Sequence, residues 1–215
     1  MPSGASLFGF VAAALVVLAI PGPAVMYVVA RSLSQGARAG LVSVLGLSIG
    51  ALAHVAAATA GLSAILLASA TAFGVVKALG ACYLVYLGLR MILTKPAPSG
   101  PDDLTVSAGG VRSARRLFVD GVVVSVLNPK IAVFFLALLP QFVDPARGPA
   151  ARQVLGLGLL YVALALVTDS SYALLAGALR GRLGGRVARG PWPRYAAGAV
   201  YIGLGLSTAM AARRS

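Results

Sequence analysis

Long apolar runs separated by short polar breaks dominate the chain. Six runs stand out, at residues 7–30, 39–68, 73–93, 117–139, 154–179 and 195–212. Each is close to the ~20 apolar residues that a helix needs to cross the hydrocarbon core of a bilayer. The pattern predicts an all-α, polytopic membrane protein with six transmembrane helices. Residues 94–116 are rich in Pro, Gly, Ser and charge. They divide the chain into a first three-helix repeat (1–93), a cytoplasmic linker (94–116) and a second three-helix repeat (117–215).

Two runs are interrupted. Pro21-Gly22-Pro23 breaks the first, and Asn128-Pro129-Lys130 breaks the fourth. Proline lacks an N–H and suits the first position of a helix, with Gly or Asn as the cap before it. Each break therefore predicts the end of one half-helix and the start of another near mid-membrane. The new half-helix would expose free amides and the positive end of its dipole. The third and sixth runs share a Gly-Ala-x-Tyr pattern, at Gly80 to Tyr83 and Gly198 to Tyr201. With three spans in each half, the second half would insert upside down relative to the first. The expected architecture is a 3+3 inverted repeat with helices 1 and 4 broken, a layout found in secondary transporters.

Composition narrows the class. Of 215 residues, 59% are hydrophobic and 11% are charged, against about 25% charged in soluble domains. Such a chain could not cover a soluble globule with polar groups. Lys and Arg total 18 and the acids five, for a net charge of +13. A basic excess can signal nucleic acid, but here the basic residues sit at the ends of apolar runs, not along one face, so no nucleic-acid partner is expected. Residues 31–38, 90–116 and 180–194 hold twelve of the 18 basic residues. The positive-inside rule then places those loops in the cytoplasm and both termini outside. The first run lacks a basic leader and continues past Pro23, so it reads as an uncleaved span. The lone Cys82 permits no intrachain disulfide. No Walker A loop, HExxH motif or Cys/His cluster is present, so no cofactor or metal is expected.

The polar residues inside the runs are the candidates for chemistry. A lysine in mid-span costs about 2.5–3.5 kcal/mol on insertion. Lys130 therefore needs a partner, a wet cavity or a route to snorkel to the interface. His54 shares a helix face with Gly46 and Gly50, a small-residue stripe where helices approach closely. It should face protein, either satisfied by a neighbouring hydroxyl or carbonyl or handling protons. Asp169 shares a face with Ala165, Tyr172 and Ala176, and either pairs structurally with Lys130 or serves function. Asp120 is expected to pair with Arg116 one turn earlier. Lys77 should snorkel, and Trp192 and Tyr195 should anchor at the interface. Tyr83, Tyr86, Tyr161 and Tyr172 either line a cavity or pack.

These residues resemble, in order and spacing, the LysE/RhtB-type amino-acid exporter family of bacterial inner-membrane proteins. The matching stretches are Pro21 to Pro23, Gly46 to His54, Gly80 to Gly88, Asn128 to Lys130, Leu139 to Phe142, and Asp169 with Tyr172. Together they cover essentially the whole chain. The match departs at Ser125, where many members carry a further Asn. The resemblance implies six helices in the bacterial inner membrane. It also implies export of a small zwitterion, an amino acid or a derivative, driven by the proton motive force, with no enzymatic activity. In this reading Pro21, Gly22, Pro23, Asn128, Pro129, Lys130 and Tyr172 would bind substrate. His54 and Asp169 would couple protons or hold the ammonium group. Small-residue faces would permit a homodimer. The alternatives are an exporter of a cation or other small metabolite, a membrane-embedded enzyme using His54 and Asp169, and a structural subunit.

Overall fold

A computed structural model describes residues 3–69 and 112–180, with isolated positions between 71 and 89. The described residues form helices and turns, with no strand. The third and sixth expected spans fall almost wholly outside them, as do Lys77, Tyr83, Trp192, Tyr195 and most of the linker.

The first expected span is two helices. Helix α1 (Gly4–Ala19) starts at Ser3, whose side chain accepts from the Ser6 amide, and ends where Ile20 turns extended. Helix α2 (Pro23–Gln35) starts with Pro23 behind the extended cap Gly22. The two are bent by 53°. A single residue, Gly36 at φ 92°, turns the chain into the long helix α3 (Ala37–Ala68). Glycine adopts that left-handed backbone without the Cβ penalty. The fourth expected span begins as α4 (Ala114–Val126), capped by Ser113. It restarts at α5 (Pro129–Val133), where the Asn128 side chain accepts from the Lys130 amide. A widened π turn (Phe134–Leu138) and a 3₁₀ turn (Leu139–Phe142) continue it, and this bend is 44°. Helix α6 (Ala150–Ala178) is continuous. Among the described residues, α3 and α6 are each long and apolar enough to cross a membrane, and each bent pair adds one more candidate span. Proline chemistry at residues 21–23 and 128–130 thus produces both breaks where the sequence predicts them.

Helix α3 lies at the centre, against α2, α4 and α6. Its small residues set the spacing. A Cβ on Gly46 would collide with the backbone carbonyl of Phe118 in α4, and one on Gly50 would meet the Val122 carbonyl at 2.7 Å. From the other side, a Cβ on Gly121 would press on the Ser43 carbonyl. Backbones this close gain dispersion contacts that larger side chains would prevent, which is how helices associate in a medium as apolar as themselves. The stripe of Gly46, Gly50 and His54 does face protein: His54 Nε2 lies 3.2 Å from the Ser125 carbonyl, and its ring stacks on Phe135.

A second core sits between α1, the π turn and α6. Phe10, Phe134, Phe135, Phe142 and Tyr161 interlock there with ring centroids 4.2–5.8 Å apart. Below it, the buried Gln153 amide donates to the Asp144 carbonyl at 2.7 Å and the Gly148 carbonyl at 3.0 Å, and accepts from the Asp144 amide. Those bonds pin the turn leading into α6. The outer surface is apolar, with Phe8 78% and Val167 67% exposed. An apolar exterior over a packed interior fits a lipid surround and not water.

Where α2 ends and α4 begins, polar contacts tie the two together. The Tyr27 hydroxyl donates to the Leu117 carbonyl at 3.1 Å. The Arg112 amide donates to Gln35 Oε1 at 2.9 Å. Buried Arg31 lies over the Tyr27 ring at 5.5 Å, a cation–π contact. Asp120 pairs with Arg112, which corrects the expected pairing with Arg116. The reason is local. Ser113 is the helix cap, so Arg112 precedes the first turn and is free to fold back along α4.

Close glycine packing makes a specific forecast. Gly46→Val and Gly121→Val should each cost about 1–3 kcal/mol through overpacking. Gly61→Val should cost far less, since a Cβ there meets nothing within 4 Å. Thermal unfolding of the three purified variants in one detergent checks the order.

Candidate functional site

Both breaks open onto one small cavity between α1, α2, α3, α4, α5 and α6. Its polar lining is Ser48, Ser125, Asn128, Lys130, Tyr161 and Asp169, and Gly22, Ala24 and Val25 also border it. The volume is about 30 Å³, above the ~10–15 Å³ that one water requires.

The sequence candidates divide by position. Gly22, Asn128, Lys130 and Asp169 line the cavity. Pro21, Pro23 and Pro129 are exposed and shape the backbone around it. His54 is not among the lining residues; it is held at Ser125 and Phe135. Tyr172 also lies outside the lining, but its hydroxyl donates to the Ala19 carbonyl at 3.1 Å. Sequence reasoning passed over Ser48 and the lining role of Ser125. The available signal was a hydroxyl inside an apolar run, the same kind of signal that singled out His54.

Lys130 is the centre of the geometry. Its stem runs over Gly22, where even a methyl would sit 3.1 Å from Cδ. Its Nζ donates to the Ile20 carbonyl at 2.6 Å. Ile20 is the cap of α1, at the negative end of that half-helix, so an amine there meets the last free carbonyls and a favourable dipole. The first break thus leaves carbonyls bare, and the second half of the chain supplies donors to two of them: Lys130 to Ile20 and Tyr172 to Ala19. An unpaired peptide group buried away from water would otherwise cost about 1–3 kcal/mol.

Asp169 is only 8% exposed. Among the described residues the ion pairs are Arg112–Asp120 and Arg147–Asp144, so Asp169 and Lys130 share a cavity without closing a salt bridge. The two half-helix starts differ. At α5, proline takes the first position and Asn128 Oδ1 accepts from the next amide, that of Lys130, at 3.0 Å. At α2 no side chain caps the start, and Ala24 and Val25, which follow Pro23, both line the cavity. Both half-helix starts therefore border the cavity, and that of α2 is the one without a side-chain cap.

Comparison with known proteins bears on this site. Residues 15–211 match the family model described as LysE type translocator. The chain is 34% identical over 171 residues to a protein named "Uncharacterized membrane protein" of Vibrio cholerae serotype O1, covering 80% of this chain and 78% of the relative. It is 33% identical over 156 residues to the homoserine/homoserine lactone efflux protein of Salmonella typhimurium, covering 73% of each. It is 27% identical over 135 residues to the leucine efflux protein of Enterobacter sp., covering 63% of this chain and 62% of the relative. No solved structure matches the chain.

Tyr172→Phe removes one of the two donors at the first break and nothing else. It should lower stability by about 1 kcal/mol, the usual net worth of one hydrogen bond. Chemical unfolding monitored in detergent micelles measures it; an unchanged midpoint would mean that the Ala19 carbonyl is satisfied elsewhere.

Proposed function

The chain belongs to the LysE type translocator family, and from that premise we propose that it exports an amino acid or amino-acid derivative across the bacterial inner membrane, coupled to the proton motive force. The observation that carries the reading is the cavity at the two helix breaks. There a buried carboxylate, a lysine amine and an uncapped helix start face one small space. A zwitterion needs both signs of partner at short range, and a broken helix offers both: electronegative carbonyls where α1 stops and electropositive amides where α2 starts.

In this proposal the substrate carboxylate lies at the start of α2, against Gly22, Ala24 and Val25, with Asn128 beside it. Asp169 faces the ammonium group and exchanges the coupling proton. His54, one helix contact away at Ser125, supports that exchange by holding the α4 end in place. In the same proposal six spans form a 3+3 inverted repeat, and one repeat rocks against the other to open the cavity to alternate sides. The relatives named for homoserine, homoserine lactone and leucine efflux support small amino acids and their derivatives as the substrate class.

Metabolite profiling of the medium should show one or a few amino acids enriched on overproduction and depleted on deletion. Asp169→Asn, inserted at wild-type levels, should cut that export at least tenfold. Export at the wild-type rate by this variant would remove Asp169 from the mechanism, and a medium unchanged by overproduction and deletion would count against export itself.

A further inference from the structure

Lys130 invites the assignment of a positive charge to the substrate carboxylate, and its geometry says otherwise. The Nζ is directed at the Ile20 carbonyl, 2.6 Å away. That carbonyl is the terminal acceptor of α1, and the Tyr172 hydroxyl occupies its neighbour on Ala19. The uncapped start of α2 follows Gly22 in the chain, while the hydrogen bond of Lys130 Nζ goes to Ile20, before it. Asp169, more than nine-tenths buried, lines the same space and forms no ion pair among the described residues. A helix's negative end and a buried carboxylate together make a cation site. In this conformation the cation in it is the side chain of Lys130.

We propose that Lys130 is a tethered stand-in for the substrate's ammonium group, holding the α1 carbonyl pole when the cavity is empty and giving it up when a zwitterion arrives. The proposal rests on the exporter reading for the identity of the incoming solute. Three features support it. The lysine stem is packed over Gly22, so the amine reaches Ile20 across the break between α1 and α2. The site is built for a primary amine, with a carbonyl acceptor at hydrogen-bond distance and a carboxylate in the same cavity. And the stem is flexible, so the amine can leave without moving a helix. Such a device keeps the Ile20 carbonyl satisfied in the absence of substrate. It also makes the lysine a competitor of the substrate and not a ligand for it.

Opposite expectations follow for removal of the charge. A carboxylate ligand lost would weaken binding; a competitor lost would strengthen it. The full-length Lys130→Ala protein in lipid nanodiscs is the test material, with Lys130→Met as the second variant should the alanine form be too unstable to purify. The first measurement does not depend on the natural solute. Both variants should melt below wild type, and n-butylammonium at millimolar concentration should restore the melting temperature of Lys130→Ala while butanoate does not. Wild type, with its own amine in place, should respond to neither. No rescue by the amine, or equal rescue by the carboxylate, would overturn the cation site. The second measurement uses L-leucine and L-homoserine as probes. A dissociation constant at least tenfold lower in the variant supports displacement. One at least tenfold higher, together with weaker binding of the deaminated acids, would assign Lys130 to the carboxylate instead. An exporter reading that failed would show as no change in exported solutes in the cell assay, and would leave the butylammonium result standing on its own.

Discussion

A helix broken inside a bilayer must satisfy the peptide groups it frees, because no water competes for them in hydrocarbon. The rest of this structure is arranged around that requirement. Helix α1 stops at Ala19 because Pro21 and Pro23 cannot continue it, and the carbonyls of Ala19 and Ile20 lose their intrahelical donors. Tyr172 of α6 and Lys130 of α5 supply replacements. Both come from the second half of the chain. The first break is thus closed by side chains that only a correctly docked second half can deliver, which couples local backbone chemistry to the way the halves meet.

Docking to that accuracy depends on the glycine contacts. Gly46 and Gly50 on α3 lie against the α4 backbone, and Gly121 of α4 lies against α3. These contacts fix where α4 ends and so where Asn128 can cap the restart at α5. The cap in turn sets the direction in which Lys130 leaves the helix. His54 belongs to this chain of constraints: it bonds the Ser125 carbonyl near the end of α4, which also accepts from the Asn128 amide at 3.1 Å because Pro129 offers no donor. Its place in the small-residue stripe thus bears on structure before it bears on chemistry.

The elements that were legible in the sequence are those written in residue types. Proline behind a Gly or Asn cap marks a helix start wherever it occurs, so both breaks fall at residues 21–23 and 128–130 as read. The small-residue face of α3 was likewise legible, because glycine at intervals of four has few other uses in an apolar helix. Lys130 and Asp169 were legible as buried charges in need of surroundings. Their relation was not. The direction of a lysine amine is decided by four rotatable bonds and by which acceptors lie in reach, and the acceptor here is a backbone carbonyl, a group that every residue carries. The same blindness explains Asp120. A helical spacing of four favoured Arg116, but capping at Ser113 placed Arg112 outside the helix, where it could fold back. The aromatic cluster around Tyr161 and the Gln153 clamp at Asp144 join residues far enough apart in spacing or chemistry that no periodicity announces them.

The two kinds of contact that join the halves differ in what displacement costs them. Backbone laid against glycine loses its dispersion contacts within a fraction of an ångström, because the attraction falls steeply with distance. Such a surface keeps its register or separates. The hydrogen bonds at the break are carried by side chains, and that of Lys130 is long enough to follow a moving acceptor or to exchange it for another. A cavity of about 30 Å³ has room for water and must widen to admit an amino acid. The tight α3–α4 contact resists that widening, and the Lys130 and Tyr172 bonds permit it. Motion is therefore cheapest around the first break, at the wall where α1 ends and α2 begins. That wall carries both the carbonyl pole and the amide pole, so the part of the site with the most freedom to move is also the part with the most to offer a zwitterion.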